Sequence, residues 1–233
     1  MKAMILAAGY GSRLGELTKE TPKCLMPIGE TTLLELLVNQ LKEFNVSEII
    51  INLYHLAQKV DCYVKGRNSF DTQVFLSKEE VLLGTGGGVL KVADRLKAEE
   101  CFVIYNADIY SEVDLHQMVS AHIQHDALVT LAVMNRETSR PLFFDKNMYM
   151  CNDKETTKQP FGFTGIHVVS PRVFDYFTGF GQSFSIIDPY RRAVDSGERI
   201  VGFDIGSTYW IDAGVPARLE ALRNYLLRSP QNT

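Results

Sequence analysis

Four charged side chains and two glycine-rich turns hold most of the chemistry this sequence can perform. The first turn, Gly9-Tyr10-Gly11-Ser12-Arg13-Leu14-Gly15, follows a short apolar run that ends in Ala7-Ala8. Glycine lets a backbone approach a ligand closely and aim its N–H groups at phosphate oxygens. Arg13 offers a forked cation, and Lys23, after Pro22, a point charge; both suit phosphate. Asp108 and Asp212 each follow an apolar, strand-like run. They are hard oxygen donors of the kind Mg²⁺ takes, one or two carboxylates completed by phosphates and water. A lone aspartate after a strand is also an ordinary turn-former or helix cap. The weight rests on the two together with Arg13 and Lys23.

Two familiar phosphate loops are excluded. The dinucleotide pattern G-x-G-x-x-G needs glycine where Leu14 stands, which removes a dinucleotide oxidoreductase. A Walker-A loop needs a lysine directly after glycine, and Lys23 follows Pro22. The second turn, Leu83-Gly84-Thr85-Gly86-Gly87-Gly88, supplies further backbone donors with little side-chain bulk. The histidines (55, 116, 122, 125 and 167) lie outside these segments; three of them, on a predicted helix, read as a solvated face. Cys24, Cys62, Cys101 and Cys151 have no metal-ligand spacing and read as reduced thiols.

These groups need a scaffold that delivers them to one place. Apolar runs predict strands over Ala3–Ala7, Glu48–Asn52, Gln73–Leu76, Cys101–Tyr105 and Ala127–Val133. Between them, helical spacing predicts helices over Thr32–Phe44, Leu56–Lys65, from the Gly84–Gly88 turn to about Leu96, and Asp114–His125. The alternation implies an α/β fold, a three-layer αβα sandwich on a mostly parallel, Rossmann-like sheet. In such sheets ligands bind beyond the carboxyl ends of the strands, where both turns and Asp108 fall. After Asn135 the rhythm changes. A hairpin-like pair at Leu142–Phe144 and Met148–Met150 and a strand at Gly165–Val169 suggest a small lobe at roughly 136–165 within a single 1–233 domain. A helix over Phe184–Ser196, strands over Ile200–Ile205 and Thr208–Ile211, and a closing helix over Pro216–Leu227 complete the reading.

The chain has 233 residues, 45% hydrophobic and 22% charged, enough for one domain with a sizeable core. Its net charge of −4 gives no sign of a nucleic-acid or membrane surface. The apolar start is too short for a signal-peptide core or a membrane span, so a cytoplasmic protein is expected.

The full string Leu6-Ala-Ala-Gly-x-Gly-x-Arg-Leu14, with Thr18, Thr21-Pro-Lys23 and Leu25-x-Pro27-Ile28, resembles the opening of the sugar-1-phosphate nucleotidyltransferases. The resemblance runs through nearly the whole chain. Tyr105-Asn-Ala-Asp108 resembles the family's Asn-Gly-Asp element, with Ala107 for its glycine, and Tyr209-Trp-Ile-Asp-Ala-Gly214 the element that carries its second metal aspartate. The resemblance implies an enzyme that transfers a nucleoside monophosphate from a nucleoside triphosphate to a sugar 1-phosphate and releases pyrophosphate. It implies that Ala8, Gly9, Gly11, Ser12, Arg13 and Lys23 hold the triphosphate, with Arg13 and Lys23 catalytic. Gly84 and Thr85 would border the nucleobase and sugar, and Glu79, with Glu80 as fallback, would read the base. Asp108 and Asp212 would hold Mg²⁺, the implied cofactor.

Asn106, Arg140 and Gly165 are the expected sugar-phosphate residues, and Lys154 and Lys158 are further candidates for the family's Glu-Lys-Pro element, which is not present here. The branch resembled most uses UTP with N-acetylmuramic acid 1-phosphate; a GTP-dependent mannose- or heptose-1-phosphate branch shares much of the pattern. A non-catalytic nucleotide-sugar sensor on the same fold is the alternative of another class.

Overall fold

The structure is a computed structural model describing residues 1–152 and 159–228. In chain order its main elements are β1 (Lys2–Leu6), α1 (Leu33–Glu43), β2 (Glu48–Leu53), α2 (Ala57–Gly66), β3 (Val74–Lys78), α3 (Gly84–Lys91), β4 (Phe102–Asn106), β5 (Ile109–Ser111) and α4 (Leu115–Gln124). There follow β6 (Val129–Met134), β7 (Leu142–Phe144), β8 (Met150–Cys151), β9 (Gln159–Val169), α5 (Ile187–Asp195), β10 (Ile200–Asp204), β11 (Trp210–Asp212) and α6 (Pro216–Arg228).

The main sheet runs β3-β2-β1-β4-β9-β6-β10. All its strands point one way except β9, which is antiparallel to both β4 and β6. Alternate side chains of the central strands fill two cores. Ala3, Ile5, Ile49, Ile51, Val103 and Tyr105 pack under α1, α2 and α4. Met4, Ile50, Phe102 and Ile104 pack against Val89, Leu96, Tyr190 and Ala193 on the opposite face. Strands apolar on both faces are what a sheet covered by helices on both sides requires. The expected three-layer sandwich on a mostly parallel sheet is therefore present. Among the described residues no helix is long and apolar enough to cross a membrane.

Local signals explain the element ends. Thr32 caps α1 by accepting from the Glu35 N–H at 3.2 Å, and Asp114 caps α4 by accepting from the Gln117 N–H at 3.0 Å. The sheet order reverses between β1 and β4, since β2 and β3 lie to one side and β9 to the other. That switch point opens a crevice beyond the carboxyl ends of β1 and β4.

Three expectations are corrected. The Gly84–Gly88 turn is itself the first part of α3, and the helix breaks at Val92, where φ is −110°. The helix expected from Phe184 starts at Ile187, because the Phe184 backbone is already paired with Leu83 and Gly86. His122 is buried against Thr130 rather than on a solvated face, with Nδ1 and Oγ1 3.0 Å apart. In addition, the strand expected at Gly165–Val169 extends back to Gln159, where it pairs with β7.

Burial pushes the His122 pKa down to about 4 and that of His167, which faces the Tyr190 hydroxyl, down to about 3. Both are neutral in the folded chain, while the unfolded chain takes up protons below about pH 6.5. Stability should therefore be complete above pH 6.5 and fall as the pH drops from there towards 4, by up to about 1.4 kcal/mol per pH unit for each histidine. Urea unfolding midpoints across that range check this, and His167→Gln should flatten the slope.

Candidate functional site

The first glycine loop is folded against itself. Gly11 lies in the left-handed region, with φ of +68°, and a Cβ there would come within 2.8 Å of Thr18 and 3.1 Å of Lys23. The buried Thr18 hydroxyl donates to the Gly11 and Gly15 carbonyls at 3.2 and 3.0 Å. The His55 ring meets the Thr18 carbonyl at 3.0 Å, a support for the loop that the sequence did not reveal. The Ala7 N–H donates to Asn52 Oδ1 at 2.8 Å. Gly9 and Ser12 are exposed at the mouth of the crevice, with Ala8 buried beneath them.

Strand pairing brings the two distant aspartates together. β5 leaves directly after Asp108 and pairs antiparallel with β11, so that Asp212 lies opposite Ile109. The Ala213 N–H donates to the Asp108 carbonyl at 2.8 Å. Lys23 Nζ forms an ion pair with Asp108 Oδ2. Arg13 reaches Asp212 Oδ2 at 3.0 Å and Asp108 Oδ2 at 3.6 Å, and Arg218 reaches Asp212 Oδ2 at 3.8 Å. Gly214 sits where these groups converge. A Cβ there would fall 2.5 Å from Lys23 Nζ, 2.6 Å from Arg13 Nη2 and 2.6 Å from Asp212 Oδ1.

Burial works against ionisation of Asp212. Hydrogen bonds from Arg13 and from the Gly214 N–H, with the Lys23 and Arg13 charges, outweigh it and hold the carboxyl below the usual range. The same hydrogen bond to Asp212 raises the Arg13 pKa against the opposing effect of its own burial. Three cations thus face two carboxylates, a surplus suited to an anionic ligand.

The second glycine turn is built for close packing. The Gly84 N-terminal bend has φ of +69°, and a Cβ at Gly86 would collide with the Phe184 ring at 2.2 Å. Thr85 Oγ1 accepts from the Ile186 N–H at 2.9 Å. Glu79 is buried with both oxygens engaged: Oε1 accepts from Asn52 Nδ2 at 2.7 Å and Oε2 from the Leu83 N–H at 3.0 Å. Through Asn52 it ties the second turn to the end of β1.

The structure also brings Asn106 against Gly165. Gly165 has φ of +90°, and a Cβ there would lie 2.8 Å from Asn106 Nδ2. The register of β9 against β6 shifts between Phe163 and His167 around this point. Arg140, by contrast, is exposed, and among the described residues its side chain makes no hydrogen bond or ion pair with the carboxylate cluster. Lys154 and Lys158 lie outside the described residues. Sequence reasoning passed over Asn52, Arg136 and Arg218. None stands in a recognisable motif, and only the tertiary fold places them at the crevice.

With this geometry, the profile of the family described as nucleotidyl transferase matches residues 2–144. The chain belongs to the nucleotidyl transferase family.

It is similar to the UTP–glucose-1-phosphate uridylyltransferase of Synechocystis sp., at 28% identity over 100% of this chain and 65% of that protein, so the chain spans just under two thirds of that relative. The D-glycero-α-D-manno-heptose 1-phosphate guanylyltransferase of Aneurinibacillus thermoaerophilus is 27% identical over 93% of this chain and 94% of its own length. The N-acetylmuramate α-1-phosphate uridylyltransferase of Neisseria meningitidis serogroup B is 26% identical over 94% of this chain and 96% of its own. Among solved structures, a Bacillus anthracis protein in complex with sucrose superposes with TM-score 0.84 at 21% identity, covering 100% of this chain and 97% of that one. HddC of Yersinia pseudotuberculosis, complexed with GMP-PN, superposes with TM-score 0.79 at 21% identity, over 97% and 99%. These likenesses bear out the nucleotidyltransferase fold.

Replacing Glu79 by alanine should leave Asn52 Nδ2 and the Leu83 N–H without an acceptor and cost about 1–3 kcal/mol. Urea unfolding of the Glu79→Ala protein measures this, with Glu80→Ala, whose side chain is exposed, as the neutral comparison.

Proposed function

We propose that this nucleotidyl transferase joins a nucleoside triphosphate to a sugar 1-phosphate, giving a nucleoside diphosphate sugar and pyrophosphate. The observation that carries the reading is the convergence of Lys23–Asp108 and Arg13–Asp212 on Gly214, beside the switch point between β1 and β4. In this reading Ala8, Gly9, Gly11 and Ser12 wrap the triphosphate, and Gly84 and Thr85 border the nucleobase and its sugar. Glu79 shapes the base wall by holding the Leu83 turn. Asn106 and Gly165 flank the sugar phosphate.

The donor set fits a magnesium ion: two hard carboxylates that the β5–β11 pairing brings side by side. Asp108 and Asp212 would hold it, and when bound it supplies charge neutralisation and polarises phosphate oxygens. The protein supplies the rest. A phosphate monoester has a second pKa of about 6, so the attacking oxygen is ionised at neutral pH and needs no general base. It forms a bond to the α-phosphorus as the bond to the bridging oxygen breaks, and the electron pair leaves with pyrophosphate. Arg13 and Lys23 offset the charge that gathers there, so catalysis rests on positioning and electrostatics. No histidine among the described residues bonds to the carboxylate cluster, and both buried imidazoles are held neutral elsewhere in the fold.

For the substrate pair we favour UTP with N-acetylmuramic acid 1-phosphate, supported by the near full-length likeness to the Neisseria protein. GTP with a mannose or heptose 1-phosphate is the second reading, supported by the similar coverage of the Aneurinibacillus protein. The cytoplasm, where nucleoside triphosphates are available, is the proposed compartment.

Pyrophosphate release, measured across the four nucleoside triphosphates and a panel of sugar 1-phosphates with Mg²⁺, tests the reading. One pair should stand out, and Asp108→Ala or Asp212→Ala should lower its rate at least about 10²-fold while the protein stays folded. Release by no pair would favour the nucleotide-sugar sensor, and a wild-type rate in Asp108→Ala would remove the metal assignment.

A further inference from the structure

Arg136 is a cation at the crevice that the proposed reaction has not yet used. It stands two residues beyond β6, and its position is fixed from three sides. Nη2 donates to the Phe163 carbonyl on β9 at 2.8 Å. The guanidinium lies over the Trp210 ring, 4.7 Å from its centroid, and Trp210 is itself held by a hydrogen bond from Nε1 to the Thr164 carbonyl at 2.8 Å. Gly162 makes room for it, since a Cβ there would fall 2.6 Å from Arg136 Cγ and Nε.

What this arginine lacks is an anion. Among the described residues it forms no ion pair, and its Nε is buried without a hydrogen-bond partner. Burial, and then the like charge of Arg218, lower its pKa, with Asp212 only partly offsetting them. A half-buried guanidinium ordinarily has a carboxylate to balance its desolvation. Here the charges that act on it are a second arginine and a carboxylate already shared by Arg13 and Arg218. A planar cation, stacked on an aromatic face and short of an acceptor, is preorganised for a forked contact with a phosphate. The strand that holds it also carries Gly165, against which Asn106 packs.

We propose that Arg136, on the face of Trp210 and beside Arg218, binds the phosphate of the acceptor, a sugar 1-phosphate. This rests on the function proposed above and assigns the duty for which Arg140, Lys154 and Lys158 were the sequence candidates. The stacked guanidinium aims the monoester towards the carboxylate pair, and Trp210 keeps water from that side of the contact.

Isothermal titration of the intact chain with UTP, GTP, glucose 1-phosphate, mannose 1-phosphate and N-acetylmuramic acid α-1-phosphate, in Mg²⁺, tests the assignment. At least one sugar 1-phosphate should bind, and Arg136→Gln should weaken it by about tenfold or more while nucleoside triphosphate binding stays within about twofold. Arg136→Lys, which keeps the charge and loses the fork, should fall between. Thermal unfolding identifies a variant that does not fold, and in that case Arg136→Lys carries the comparison. Equal weakening of both ligands, no weakening, or no sugar 1-phosphate bound by the wild type would overturn the assignment. Pyrophosphate release in the same mixtures separates the two ideas. Wild-type release with an unchanged KM for the sugar phosphate in Arg136→Gln removes Arg136 alone. Selective loss of sugar-phosphate binding, with no release by the wild type, removes the reaction and keeps the phosphate site.

Discussion

The antiparallel pairing of β5 with β11 is the constraint on which the rest of the site depends. Two carboxylates repel each other and resist burial, yet this short ribbon sets Asp212 opposite Ile109, immediately after Asp108. Their proximity is tolerable because Lys23 and Arg13 arrive from the opposite end of the chain, Arg13 being 199 residues from Asp212 in sequence. Hydrophobic packing holds the two ends in register. Leu14, Met26, Ile28 and Leu33 share one cluster with Ala213, Leu219 and Leu222, so apolar burial fastens the closing helix α6 to the N-terminal segment, and Arg223 adds a hydrogen bond to the Pro27 carbonyl at 3.0 Å. Gly214 then allows three charged groups, Lys23, Arg13 and Asp212, to meet at a point where any side chain would intrude.

The two glycine turns solve different problems. In the first, glycine permits a left-handed bend at Gly11 and leaves Gly9 and Ser12 open to a ligand. In the second, the glycines chiefly admit the Phe184 segment, whose backbone bonds to Leu83 and Gly86 and whose ring lies against Gly86. The Asn52–Glu79 pair couples the turns, one oxygen of Glu79 held by Asn52 and the other by the Leu83 N–H. A carboxylate so engaged is a brace, and it links the geometry of the second turn to that of the first.

Beyond the carboxylate pair, the crevice carries more positive charge than its own acids balance. Arg13, Arg218 and Arg136 all lie within the field of Asp212, and only the first two pair with it. Such a surplus costs stability in the free protein and becomes favourable when anions enter.

The sequence by itself determined the family and the scaffold. Apolar runs at strand length, helical spacing between them and the string from Leu6 to Pro27 are local features, and local features set strand, helix and loop chemistry. They singled out Arg13, Lys23, Asp108 and Asp212, four side chains that pair with one another in the fold. Only the tertiary structure decided how Asp108 meets Asp212, that His122 turns inward to Thr130, that Glu79 spends its carboxylate on Asn52 and Leu83, and that Arg136 rather than Arg140 is fixed against Trp210. Apart from the local Glu79–Leu83 bond, these depend on which element lies beside which, across separations of 8 to more than 100 residues. Periodicity reports which face a residue shares with its near neighbours; the partner across a sheet is set by chain topology and core packing, and no local pattern encodes it.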